Sequence, residues 1–403
     1  MLSGCGGGGS DAPSPQPVVT NFAPAAVVIG QVTFSGYSSV LTGRTKTAAT
    51  IDRTYGSVAI NGNTLYVPDF LGNRVLGYNT IPTTNGAAAD FVLGQPDLTS
   101  SVEGTSATTF LNPQSVRIAG GKLFMVDYAN NRILIWNTPP TSSNVPADIV
   151  VGQGSMTTGD CTLTQSGLCQ PEDVFVSNGK LIVSDSGNNR VLIWNSIPTT
   201  NGMAADVVLG QNSFTTNSMN DDDQDTNPDS APSARTLSYP AGVWSNGTKL
   251  VVCDTSNNRV LVWNTIPTSN FTPASIVLGQ NSFTMSTAID DDQDGLPDAQ
   301  ASARTFDYPY FVTSNGVMLF VTDSSNSRVL VWETFPAANF AAATKVLGQN
   351  SLTGYVANDD DQNESQDAAP SARTLDRPTG LHLEGTTLYV GDNMNSRILM
   401  YRF

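Results

Sequence analysis

Apolar runs of four to six residues, rich in Val, Ile, Leu and aromatic side chains, recur along the chain and are cut short by Gly, Asn, Asp and Pro. Runs of that length and composition predict strands rather than helices. The clearest unit reads Leu181-Ile182-Val183-Ser184-Asp185, then Ser186-Gly187-Asn188-Asn189, then Arg190-Val191-Leu192-Ile193-Trp194. Two strands flank a tight turn in which Gly and Asn supply positive φ. The same hairpin occurs six times, at Asp69/Arg74, Asp127/Arg132, Asp185/Arg190, Asp254/Arg259, Asp323/Arg328 and Asp392/Arg397, spaced by 58, 58, 69, 69 and 69 residues.

Fourteen residues before each Asp stands Pro113, Pro171, Pro240, Pro309 or Pro378, with Tyr55 in that place in the first unit. A short strand anchored by Val58, Val116, Val174, Val243, Val312 or Leu381 follows it. After the hairpin, a linker such as Ile197-Pro198-Thr199-Thr200-Asn201 leads to a fourth strand ending in Gly-Gln, at Gln95, Gln153, Gln211, Gln280 and Gln349. The sixth unit lacks a fourth strand, and the missing piece stands at the other end of the chain as Ala26-Val27-Val28-Ile29-Gly30-Gln31. Four antiparallel strands per repeat predict an all-β, six-bladed β-propeller of four-stranded antiparallel blades, closed by the N-terminal strand completing the last blade. Closure removes two open sheet edges. The predicted division is a tether over residues 1–23 and one propeller over 24–403.

The hairpins resemble NHL repeats, whose core is an apolar strand, Asp-Ser-x-Asn-x-Arg and a second strand. The resemblance implies the fold and leaves the function open, because propellers of this kind serve as enzymes, RNA binders and interaction platforms. An Asp and an Arg in every blade read as scaffold. So does the ring of Tyr78, Trp136, Trp194, Trp263, Trp332 and Tyr401 at one position of the third strand, which is expected to pack blade on blade. Nineteen Lys and Arg against 35 Asp and Glu give a net charge of -16, which repels phosphate backbones and argues against a nucleic-acid partner.

Departures from the repeat carry more information. From Gly-Gln to the next leading Pro is 18 residues in units two and three and 29 in units four to six. Each longer connection holds an acidic insert, such as Asp290-Asp291-Asp292-Gln293-Asp294-Gly295-Leu296-Pro297-Asp298. Carboxylates at positions 1, 3, 5 and 9 with Gly at 6 form the alternation by which a short loop wraps hard oxygen ligands around Ca²⁺. The candidate ligands are Asp290, Asp292, Asp294 and Asp298, then Asp221, Asp223, Asp225 and Asp229, then Asp359, Asp361, Asn363 and Asp367. The loops resemble thrombospondin type-3 calcium loops. Ala301 at position 12 disfavours an EF-hand. The inserts, the Asp-to-Arg turns and the leading prolines are expected on one rim, where a protein or glycan ligand would bind.

Leu2-Ser3-Gly4-Cys5 resembles a bacterial lipobox, which implies lipidation of Cys5 and attachment at the cell envelope. The Gly-rich stretch after it also reads as an engineered linker. No run of about 18 apolar residues follows that would span a membrane. Cys161 and Cys169 share one loop and are expected to form a local disulfide suited to an oxidising exterior. Cys253 reads as a buried, inert residue. The single histidine, His382, reads as packed or channel-lining, which excludes a zinc site built from several histidines. Two functional readings remain. One is a calcium-stabilised, surface-anchored binding scaffold. The other is a metal-dependent lactonase-like hydrolase of the gluconolactonase-like kind, using Glu172 and Asp173 at the central channel. A channel lined by three or more convergent oxygens favours the second, and a plugged one sinks it.

Overall fold

The structure, a computed structural model, describes residues 16–37 and 45–403. Blade three shows how the repeat folds. Its strands run from the axis outwards as Pro171–Ser177, Lys180–Asp185, Arg190–Trp194 and Val207–Leu209, all antiparallel. Asp185 pairs with Arg190 at the mouth of the hairpin. The turn ends at Asn189 in the left-handed region, φ +50, a conformation Asn tolerates better than other residues with a Cβ. The equivalent residues Asn73, Asn131, Asn258, Ser327 and Ser396 share it, with φ of 51 or 52.

That choice of Asn or Ser links blades. Its side-chain oxygen accepts the backbone N–H from the next blade: Asn112 to Asn73, Gln170 to Asn131, Tyr239 to Asn189, Tyr308 to Asn258, Arg377 to Ser327 and Arg53 to Ser396. A second clasp lies in the linkers, where Asn201 accepts Val150 N–H, Asn270 accepts Val208 N–H and Asn339 accepts Val277 N–H. Each linker thereby binds the outer strand of the preceding blade.

Six four-stranded sheets result, and in the sixth the outer strand is Val27–Ile29, paired with Ile398, Leu399 and Met400. The chain joins the propeller before residue 24, where the sequence placed the boundary. Val19 is buried, Asn21 accepts Val346 N–H and Phe22 N–H bonds Val346 O. The stretch from Gln16 stands in for the sixth linker as well as the sixth outer strand, and Asn21 repeats the role of Asn201.

The apolar cores lie between blades. Phe124, Val126, Ile133 and Ile135 of blade two pack with Val174, Leu181, Val183 and Trp194 of blade three. The Trp ring sits in these seams, and the indoles of Trp136, Trp194, Trp263 and Trp332 donate to a carbonyl nine residues on, at 2.9 to 3.0 Å. Blade one departs from its predicted register. Thr54, not Tyr55, occupies the proline position: Asp52 N–H bonds the hairpin Asp69 and Arg53 N–H bonds Ser396, as Ser238 N–H bonds Asp254 and Tyr239 N–H bonds Asn189 just before Pro240. The inner strand accordingly starts late, at Ala59.

Candidate functional site

Six buried ion pairs frame the rim. In every blade the Arg Nε lies 2.7 Å from the Asp Oδ2, and all twelve side chains are inaccessible to solvent. The other Asp oxygen accepts a backbone N–H from the connection entering the blade, as Ser238 to Asp254 at 2.7 Å. The guanidinium spans two connections: Arg259 donates to Phe283 O on the following one and to Ser233 O and Thr236 O on the preceding one. Burial of a charge is costly unless pairing and hydrogen bonds are complete, and here they are complete. The pair is the fastener of each blade junction.

The acidic inserts dock on these fasteners. Asn220 exchanges amide hydrogen bonds with Asn257, which itself donates to Asp254. Asn358, Asn395 and Asp392 repeat that chain in the last insert. Within the loops, carboxylate oxygens of Asp221, Asp223 and Asp225, of Asp290, Asp292 and Asp294, and of Asp359, Asp361 and Asp367 lie within 4.8 Å of one another. The first Asp folds the loop, taking the N–H of positions 5 and 6. Asp229, Asp298 and Asp367 each take the position-2 N–H on one oxygen at 2.7 Å. Asn363 differs from its Asp counterparts, since its amide donates to Asp361. The donor set is all oxygen, which suits a hard divalent cation.

Two invariant loop positions have roles that spacing did not reveal. The second Asp (Asp222, Asp291, Asp360) stands outside the cluster and accepts the hydroxyl of Ser233, Ser302 or Ser371 at 2.6 to 2.7 Å. The Gln at position 4 reaches back, its oxygen accepting the N–H of Asn212, Asn281 or Asn350. Their recurrence in all three loops was the available signal. The Asp223 carboxyl sits above its usual range: a hydrogen bond from Asp225 N–H pulls it down, but desolvation and the charges of Asp225, Asp229 and Asp221 outweigh that.

Gly295 at position 6 has φ +90, and Thr226 and Glu364 adopt φ +77 and +66 at the same place. A β-branched residue there is strained. Replacing Thr226 by Gly is expected to raise stability in calcium by about 0.5–1 kcal/mol, the relief of left-handed strain less the entropy of Gly. A urea midpoint below the wild type would contradict it.

At the axis neighbouring inner strands pack closely: a Cβ on Gly56 would overlap the Gln114 carbonyl, and one on Gly380 the Gly56 carbonyl. Gln114 and Glu172 meet the Tyr310 hydroxyl of blade five and plug the channel between them. Asp173 ties three inner strands together, accepting from Ser115 Oγ at 2.7 Å, Arg117 at 3.2 Å and Val243 N–H at 3.1 Å. His382 lies at the opposite opening with Arg117, Phe175 and Glu384, and burial holds its imidazole below the ordinary value.

Glu172 also forms the floor of a cavity of about 230 Å³ walled by Tyr55, Phe70, Gln114, Tyr128, Tyr239, Tyr308 and Tyr310. Its oxygens accept the hydroxyls of Tyr239 and Tyr310, each at 2.5 Å, and the Gln114 amide. Desolvation pushes its carboxyl up to about 7, against the pull of the two tyrosines. Sequence reading placed Glu172 at the mouth but missed the aromatic wall, which is assembled from positions flanking the leading Pro and the hairpin Asp in four different blades.

The raised pKa has a stability consequence. Native Glu172 holds its proton more tightly than the unfolded chain, so its ionisation penalty is absent below pH 4.5, grows as pH rises and is complete above about 7. Glu172→Gln removes it, and its stability relative to wild type should rise by about 3 kcal/mol between pH 4 and 8. Urea unfolding at the two pH values tests this; a constant difference contradicts it.

Cys161 and Cys169 are joined by a disulfide in the short connection before blade three, and Cys253 is buried and free. Cys5 lies outside the described residues. Among the described residues, no helix is long and apolar enough to cross a membrane.

The NHL repeat profile matches residues 168–194, the hairpin region of blade three. No curated protein sequence matches. Solved structures that resemble the chain include the WD40 propeller domain of Doa1 (8% identity, 86% of this chain and 78% of that one, TM-score 0.44). Virginiamycin B lyase from Staphylococcus aureus gives 13% identity, 87% and 95% coverage and a TM-score of 0.43. A streptogramin B lyase gives 9%, 89% and 96%, and 0.44.

Proposed function

We propose that the chain is a calcium-stabilised binding propeller, held at a bacterial cell surface through Cys5, whose rim receives a protein or glycan ligand. The observation that carries this reading is the threefold acidic loop. Three inserts of one register occupy three successive blade junctions, bring carboxylate oxygens together, and in two cases bond through Asn to the buried Asp of a fastener. Calcium held by Asp221, Asp223, Asp225 and Asp229, and by the matching residues of the other loops, would offset two of the five negative charges of each insert and rigidify the rim.

The hydrolase reading draws less support. Asp173 is committed to Arg117, and Gln114, Glu172 and Tyr310 bond one another across the channel. Among the described residues the carboxylate groups close enough to share a metal are those of the three inserts. A channel metal would lack its oxygens.

Melting curves in calcium and in chelator test the proposal. At calcium about tenfold over Kd each occupied site adds about 1.4 kcal/mol, so three sites should raise stability by about 4 kcal/mol. Magnesium, which dehydrates reluctantly and prefers octahedral sites, should give a smaller shift. Identical curves with calcium and chelator would end the calcium reading. Retention of the membrane-borne protein in the detergent phase, lost in Cys5→Ala, tests the anchor.

A further inference from the structure

Glu172 is a buried carboxylate with no cation beside it. It is 1% exposed, and among the described residues no Lys, Arg or His lies within 4.0 Å of it; Arg117 pairs with Asp173 and lines the opposite opening. A charge so placed is costly unless something supplies the opposite sign. Around it runs a continuous aromatic arc: Tyr128 to Phe70 at 5.9 Å between centroids, Phe70 to Tyr55 at 4.5 Å, Tyr55 to Tyr310 at 6.4 Å and Tyr310 to Tyr308 at 6.0 Å. Tyr239 joins this wall and bonds Glu172 through its hydroxyl. Aromatic faces attract cations through the ring quadrupole, most strongly where water is excluded.

The hydrogen-bonding capacity narrows the ligand. Both Glu172 oxygens already accept from Tyr239, Tyr310 and Gln114. A primary ammonium brings three donors that need acceptors, and the box has few to offer. An alkylated ammonium brings charge and methyl surface and asks for none. Blade six contributes no aromatic residue to this wall, and there the box opens into a second lobe of about 320 Å³ that shares Tyr55, Tyr308 and Tyr310 and adds Arg53, Arg377, Ser324, Thr379 and Asn393. Neither arginine lies within 4.0 Å of a carboxylate among the described residues. Arginine forks suit carboxylate and phosphate oxygens.

We propose that the propeller mouth binds a zwitterion, with an alkylated ammonium in the aromatic box against Glu172 and an anionic group on Arg53 and Arg377. This site uses no residue of the acidic inserts and is independent of calcium. Tyr308, 37% exposed at the rim, is the ring the ligand passes on entering.

The probes are choline, its neutral carbon isostere 3,3-dimethylbutanol, and phosphocholine, titrated calorimetrically into the full chain in chelator, so that a calcium effect cannot imitate binding. Choline should bind at one site at least about tenfold more tightly than the isostere. Phosphocholine should bind about tenfold more tightly than choline, and Arg377→Ala should remove that gain while leaving choline unchanged. Glu172→Gln should weaken choline at least about tenfold, and Tyr308→Ala, at an exposed ring that folding does not need, several-fold. Equal affinity for choline and its isostere, or no choline binding at about 50 mM, overturns the ammonium site. Phosphocholine no tighter than choline overturns the anionic half.

Discussion

Removal of residues 1–31 is expected to abolish cooperative folding. Val27, Val28 and Ile29 are each no more than 2% exposed, and burial of three such side chains is worth roughly 5–9 kcal/mol, comparable with the whole stability of a domain. The truncation also strips the Asn21 clasp on Val346 and the Gln31 contacts with Asn395 and Ser396. It leaves the strand Arg397–Arg402 as a bare edge, open to pairing with another chain. Insoluble protein, or a broad melt from a soluble fraction, is the expected result. Removal of residues 1–15 takes away none of these contacts. A truncated 32–403 chain that melts sharply near the wild-type temperature would show that blade six stands without its fourth strand.

Arg259→Ala should cost about 3–5 kcal/mol, because it strands the Asp254 carboxylate, which pairs with no other cation among the described residues. Its effect also spreads along the chain, since Phe283, Ser233 and Thr236 lose the donor that ties two successive connections. Arg235→Ala is the control. That guanidinium is 43% exposed and bridges Asp222 at 2.9 Å, and its loss should cost at most about 1 kcal/mol. Urea unfolding of both variants separates buried fastener from surface pair. Equal losses would mean that the fastener owes its recurrence to something other than stability.

These features differ in how openly the sequence displays them. The blade pattern is legible because each repeat must solve the same problem: an Asp to take an entering amide, an Arg to bridge two connections, an Asn or Ser at φ near +51. Closure is legible because the missing strand has the same Gly-Gln ending as the other five. The acidic loops show their 1, 3, 5, 9 alternation directly, while the anchoring Asp222 and stitching Gln224 look like more of the same polarity until their partners are seen. Blade one hides its register because Thr54 replaces proline and one residue is added before Asp69. The aromatic box is the least legible. Tyr55, Tyr128, Tyr239 and Tyr310 stand far apart in sequence and occupy three different repeat positions, so that only the circular order of the blades makes them neighbours.

Calorimetric titration of calcium into chelator-treated protein reads the three acidic loops themselves. Three sites are predicted, with dissociation constants in the range of about 10⁻⁴–10⁻³ M typical of extracellular modules, and one site should vanish in each of Asp221→Ala, Asp290→Ala and Asp359→Ala. A flat titration, or heat that survives the combined triple variant, would contradict the account.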